Sequence, residues 1–181
     1  MSLKFKANPR KIIESITWIA TRLPENSQYS ILKTLFYADK FHLQKYGRPV
    51  TGDTYIKMTY GPVASLAYDI IKRNNNLPKK ILVAADDAFD KGEGKYPPLV
   101  AKRAPDMDWF SGSDIECLEA AVEHCSNMDF DDLKETTHQE AAWVAAPMNG
   151  EMDFALFLDE DVQNREALIE YITDTAPCQA V

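Results

Sequence analysis

Between Leu32 and Val63 the chain must close a helix, turn, extend and turn again, and no other stretch limits the fold so tightly. Ile31, Leu32, Leu35 and Phe36 recur at helical spacing, and Ala38 and Leu43 carry the apolar stripe onward, which predicts a buried helix. Gly47 ends it, because glycine enters the left-handed region at no steric cost, and Pro49 forbids a restart. Thr51-Gly52-Asp53 has turn chemistry. Thr54 to Thr59 then alternates as a short strand, Tyr55, Lys57 and Thr59 on one face, Ile56 and Met58 on the other. Gly61-Pro62 is expected to open a new helix, with Pro62 at its first position, where the missing N–H costs nothing.

Asn8-Pro9 predicts the start of a first helix whose buried face is Ile12, Ile13, Ile16, Ile19, Ala20 and Leu23, with Pro24 ending it. Ser27 is placed to cap the helix that follows. Val63, Leu66, Ala67, Ile70 and Ile71 form a third stripe that stops at Asn74-Asn75-Asn76. The span 74–98 is the least regular: Ile81-Leu82-Val83 predicts a short strand inside a charged surface excursion. Leu99 to Lys102 is a second candidate strand. Ser113 and Glu116 have capping-box spacing and open a helix that buries Ile115, Leu118, Val122 and Cys125. Short helices follow around Phe130 and Leu133 and from His138 to Ala146, and Met152 to Leu158 is expected to be a strand. Asp161 is expected to cap a last helix carrying Val162, Leu168, Ile169 and Ile172, ahead of a frayed tail at 175–181. The fold class is therefore mainly α (α+β), one domain over 1–181 with about six or seven helices and a small antiparallel β element. Its core is expected to draw on Ile16, Leu32, Leu35, Phe36, Val63, Leu66, Ile70, Leu118, Val122 and Leu168.

A chain of 181 residues is long enough to bury such a core. No apolar run approaches the roughly 18 residues of a membrane span, and no cleavable leader pattern is present, which points to the cytoplasm. Twenty basic and 28 acidic residues give a net charge of −8, a surface that repels phosphate and suits a basic protein partner better than nucleic acid. Lysines and arginines among Tyr29, Tyr37, Tyr46, Tyr55, Tyr60 and Tyr68 would suit single-stranded nucleic acid, but the overall charge opposes it.

Phosphate loops, nucleophile elbows and zincin motifs are missing, and seven glycines leave little material for a phosphate cradle. Cys117 and Cys125 fall at apolar helix positions and read as unreactive, reduced thiols, with Cys178 in the tail. Asp39 and His42 are three apart on one helix face, and a folded-back His138 would complete a set of two histidines and a carboxylate for a divalent metal. The competing reading, which is preferred, has Asp39 holding His42 or a neighbouring backbone amide and His138 fixing a helix start, with no metal and no cofactor. The acidic pairs Asp86-Asp87, Asp131-Asp132 and Asp159-Glu160-Asp161 read as solvated faces or caps.

The Leu32–Val63 unit, with Asp39, His42, Gly47 and the Gly61-Pro62-Val63 corner, resembles the Panacea antitoxin domain, the family of SocA-like and phage-associated GepA-like proteins. Trp109 to Asp114, including Ser113, is similar to its middle signature, and Leu133 through Thr137-His138 to Trp143 is similar to its last. The resemblance spans roughly residues 10 to 172; Lys40 stands where arginine is more frequent, and 74–98 has no counterpart. It implies an antitoxin that binds a protein toxin directly, sometimes delivering it to a cellular protease as an adaptor, without enzymatic action; the acidic charge and the lack of a membrane span separately argue for no nucleic-acid or membrane partner. The expected contact surface is Tyr55, Tyr60, Gly61 and Pro62, with Trp143 behind. Two other readings stay open: an enzyme or metal-binding protein with its site at Asp39, His42 and His138, and a mobile-element regulator acting on nucleic acid.

Overall fold

Asn8 accepts a hydrogen bond from the Arg10 amide and opens α1 (Pro9–Ala20), with proline in its first turn. The computed structural model describes residues 3–176. Ser27 caps α2 (Gln28–Tyr46) by accepting from the Ser30 amide, and Gly47 closes it at φ 71°. Two strands follow, β1 (Tyr55–Met58) and β2 (Gly61–Ala64), then α3 (Ser65–Lys72), α4 (Lys79–Ala88), β3 (Phe89–Lys91) and β4 (Leu99–Ala101). The chain finishes with α5 (Gly112–Cys125), α6 (Phe130–His138), α7 (Ala141–Ala145) and α8 (Arg165–Thr175). The architecture is mainly α, with β1–β2 and β3–β4 as two small antiparallel sheets. Among the described residues, no helix is long and apolar enough to cross a membrane.

α2 is the axis of the molecule. α1, α3, α5, α6 and β2 all pack on it, and α5 lies along most of its length. Every residue from Ser30 to Lys40 is buried, so this part of the helix has no solvent face. The apolar members Ile31, Leu32, Leu35, Phe36 and Ala38 join Ile12, Ile16, Ile19, Ile70, Ala121 and Leu118 in one core. Lys33, Asp39, Lys40 and His42 are buried with them. Each must find partners inside the protein, because an unpaired polar group there costs several kcal/mol, on the order of 2–7. Those partners connect the fold to its candidate sites.

Several local expectations are corrected by tertiary context. Gly61-Pro62 does not open a helix: both residues lie in β2, with Pro62 opposite Lys57 and Gly61 opposite Met58. The Lys57 amide and carbonyl turn away from β2, to Gly150 O and from Asn149 N, so Pro62 has no ladder bond to lose there. α3 begins only at Ser65, where Asp53 accepts from the Leu66 and Ala67 amides. The span 74–98 is a surface excursion only in part, with 90–98 largely exposed, and 81–83 is no strand. Ile81, Ala84, Ala85 and Ala88 recur at helical spacing and bury α4 against α1; small alanines beside Asp86 and Asp87 mask that period.

The capping box of α5 is Ser111 with Asp114, two residues ahead of the expected pair, which leaves Ser113 free for another partner. α6 runs on to His138, and α7 is a separate turn capped at Glu140. After one bridge between Ile56 and Glu151, the 152–158 segment is a buried 3-10 turn (Phe154–Phe157), not a strand, because its large side chains fill the space beside Tyr55 and Phe36. α8 starts at Arg165 behind a left-handed Asn164, so Asp161 caps nothing. Val63, Leu66, Val122 and Leu168 flank the core half-buried, and the other expected core residues are fully inside. Of the expected 175–181 tail, Thr175 ends α8, while 177–181, with Cys178, lies outside the described residues.

Candidate partner-binding corner and the buried signature residues

The C-terminal half of α2 and the loop after it are held by carboxylates. Asp39 Oδ1 accepts from the Thr51 amide at 2.7 Å; its Oδ2 accepts from the Thr51 hydroxyl at 2.6 Å and the Tyr55 hydroxyl at 2.9 Å. Burial pushes the Asp39 carboxyl up, and the bonds from Thr51 and Tyr55 oppose it. His42 Nδ1 lies 2.6 Å from Arg48 O, an atom that only accepts, so this nitrogen carries the proton. Nε2 then accepts from the Ser113 hydroxyl at 3.0 Å. Burial holds the imidazole below its ordinary pKa, with the Arg48 carbonyl opposing.

Beside them, Asp114 meets Lys11 at 3.0 Å, Arg48 at 2.9 Å and His42 at 3.3 Å, and accepts from the Ser111 amide. Gly47, in left-handed backbone, faces the Tyr171 ring so closely that an added Cβ would come within 3.1 Å of it. These contacts latch the 47–53 loop and α5 onto α2.

His138 belongs to a different neighbourhood. Its ring stacks on Trp143 at 3.8 Å, and the Lys57 ammonium lies over the same indole at 4.2 Å. The Asp39, His42 and His138 constellation is thus not assembled, and no group of three His, Cys, Asp or Glu side chains among the described residues is arranged to hold a metal. Cys117 and Cys125 are buried, and burial pushes both thiols up to about 11, away from the reactive thiolate. Asp86 and Asp87 are tied to Arg73 and Arg103, and Asp132 closes the capping box of α6.

The expected contact residues divide sharply. Tyr55 is 0% exposed, its hydroxyl spent on Asp39, and Gly61 and Pro62 are buried, so these three lie beneath the surface. Tyr60, at the hairpin tip, is 56% exposed. Its ring meets the exposed Phe130 edge-on at 5.6 Å, and its carbonyl accepts from the Tyr29 hydroxyl at 3.0 Å. Trp143 is half-buried and donates to Met58 O at 3.3 Å, and both Met58 and Val144, the residue after Trp143, are exposed. Gly61 fixes this corner: at φ 103° an added Cβ would stand 2.5 Å from the Thr137 hydroxyl.

Below the corner lies Lys33, 1% exposed, which donates to Pro62 O at 2.7 Å and sits 4.6 Å over the Tyr29 ring. It has no carboxylate partner among the described residues, and burial lowers its pKa to about 7. Sequence reasoning missed Lys33 and the Lys11–Arg48–Asp114 cluster, and it named Phe130 only as part of a short helix, not as a contact residue. A lysine on an apolar helix was the only available signal for Lys33.

A family model described as antitoxin SocA-like, Panacea domain, matches residues 31–144, over half of the chain but short of the 10–172 span that the motifs suggest. No curated protein and no solved structure matches the chain. The matched segment runs from α2 through the Asp39 and His42 latches and the Tyr60 corner to Trp143, and the chain belongs to the SocA-like Panacea-domain antitoxin family.

Proposed function

We propose that this chain is an antitoxin that neutralises a cognate protein toxin by direct contact, acting as one domain over 1–181 in the cytoplasm. The observation that carries the reading is the exposed corner of Tyr60, Phe130, Met58 and Val144, braced by Trp143, inside the family-matched segment. Aromatic side chains on a rigid frame are the usual anchors of protein interfaces, since little entropy is lost when they are covered. A net charge of −8 suits a basic toxin and speeds encounter with it. Gly61 and Pro62 serve by shaping the hairpin, and Tyr55, Asp39 and His42 by holding the frame.

No bond-making step is assigned to the protein, nor a nucleic-acid or membrane partner; delivery of the bound toxin to a protease would use the same contact. The test is co-expression with the product of the adjacent reading frame, scoring growth rescue, binding and thermal melting together. Tyr60→Ala should melt like the parent yet weaken toxin binding by about 2 kcal/mol or more. Asp86→Asn with Asp87→Asn should mainly slow association, and less at high salt. A His42→Ala protein that melts normally but fails to rescue would overturn a binding-only mechanism.

A further inference from the structure

A cavity of about 380 Å³ opens where the C-terminal end of α6 meets α7 and the 156–165 connection. Leu156 and Leu158 give it an apolar wall. On its polar side one ammonium serves two carboxylates, and the Gln44 amide donates to the second oxygen of Asp159 at 2.8 Å. Lys40, almost fully buried, lies 2.5 Å from Glu140 and 2.8 Å from Asp159. Glu160 stands exposed at the mouth with no ion pair among the described residues. The second cation of the lining, Arg165, is turned to main-chain carbonyls, donating to Leu158 O at 3.1 Å and Ala155 O at 3.4 Å. Three carboxylates therefore face the cavity against two cations. The carbonyl end of α6 adds partial negative charge at the same place.

Apolar wall and acidic head together select a ligand with a hydrocarbon stem and a cationic, hydrogen-bond-donating tip. A second ammonium would satisfy only part of this arrangement, whereas the planar fork of a guanidinium can engage two carboxylates at once. We infer that this cavity receives an arginine side chain of a protein partner, as a second contact point beside the Tyr60 corner. The inference rests on the partner-binding reading and deepens it. The cavity lies outside the expected contact surface, and its volume is at the lower end of the range that holds small ligands, which suits one side chain.

The experiment is methyl NMR titration of the full chain, following Leu156 and Leu158, with three probes: N-acetyl-arginine N-methylamide, free L-arginine and N-acetyl-norleucine N-methylamide. The arginine amide should give saturable shifts with a Kd on the order of millimolar, and the norleucine amide none. Glu160→Gln, which touches nothing in the core, and Asp159→Asn should each weaken the arginine amide by about threefold or more, an effect that fades at high salt.

Absence of saturable shifts, equal binding of norleucine, or indifference to both substitutions overturns the inference. Free arginine binding far more tightly than its amide would also overturn it, since the site would then serve a free amino acid. The two readings fail separately. If the probes do not bind but the chain still rescues cells through Tyr60, only the cavity inference falls. If the arginine amide binds as expected while the chain rescues no toxin, only the antitoxin reading falls.

Discussion

Asp114 on α5 and Lys33 on α2 are each 1% exposed, yet the protein treats these two buried charges in opposite ways. Around Asp114 stand Lys11, Arg48 and His42, plus the Ser111 amide. Burial alone would push its carboxyl up, but the Ser111 amide, Lys11 and Arg48 outweigh it and hold the group below the usual carboxylate range. Around Lys33 there is one carbonyl and one aromatic face. Burial wins there, and the pKa falls to about 7. The difference teaches that burial decides nothing by itself. A buried charge strengthens a fold when the site was built around it, and otherwise it weakens the fold or titrates. The Asp114 cluster is a latch; Lys33 is a strained element directly under the proposed contact corner.

Removing the latch should have the largest effect. Asp114→Ala strands Lys11 and Arg48 and deletes half of the α5 capping box, and it should cost about 3–5 kcal/mol in denaturant unfolding. A loss below about 1 kcal/mol would mean that the cluster is ornamental, since that is the scale of surface pairs. Leu35→Ala provides an uncharged yardstick from the same core and should cost about 2–5 kcal/mol.

The Lys33 half of the comparison predicts a gain. Lys33→Met should stabilise the protein near neutral pH by about 1–4 kcal/mol, provided the stem repacks. Its pH dependence is the sharper test. The unfolded lysine titrates near 10.5 and the folded one near 7, so between those values the unfolded chain holds more protons. Stability therefore rises from pH 7 towards 10.5, and the penalty is fully present below pH 7.

Buried Asp53 does the reverse. Burial raises it from 3.8 to about 7, opposed by the Ala67 and Leu66 amides, so the folded chain holds the extra proton and stability falls from about pH 4 to 7. Unfolding measured across pH should show the upper limb flattened by Lys33→Met and the lower limb by Asp53→Asn. Unchanged limbs would remove the distinction drawn between the buried charges. The smallest effect is expected for Ser113→Ala, which removes one donor to His42 and should cost about 1 kcal/mol.

Much of the frame was legible because its signals are local. Asn8-Pro9, Ser27 and Gly47 act through their own backbone neighbours, and those boundaries fall where the residues demand. The apolar stripes of α1, α2 and α5 likewise reveal these helices through periodicity, although 11–20 and 30–40 are buried on all sides and not on one face alone. The errors occur where a distant partner outvotes a local preference. Pro62 reads as a helix start until β1 pairs with its strand, and the alanines of α4 look unremarkable until α1 covers them. Phe130 reads only as part of a short helix, and it takes the fold to set its ring exposed between Tyr29 and Tyr60.

The sequence by itself determined the helical class, the α2 axis with its glycine stop, the acidic charge and the family resemblance, because each is carried by short-range spacing or by composition. Tertiary structure alone decided which tyrosines face outward, which charges are answered, and that Asp39, His42 and His138 never meet. Those outcomes depend on contacts between residues tens of positions apart, such as His42 with Ser113 or Lys40 with Glu140. Chain spacing carries no record of such pairings, and burial makes each of them count for more than any local propensity.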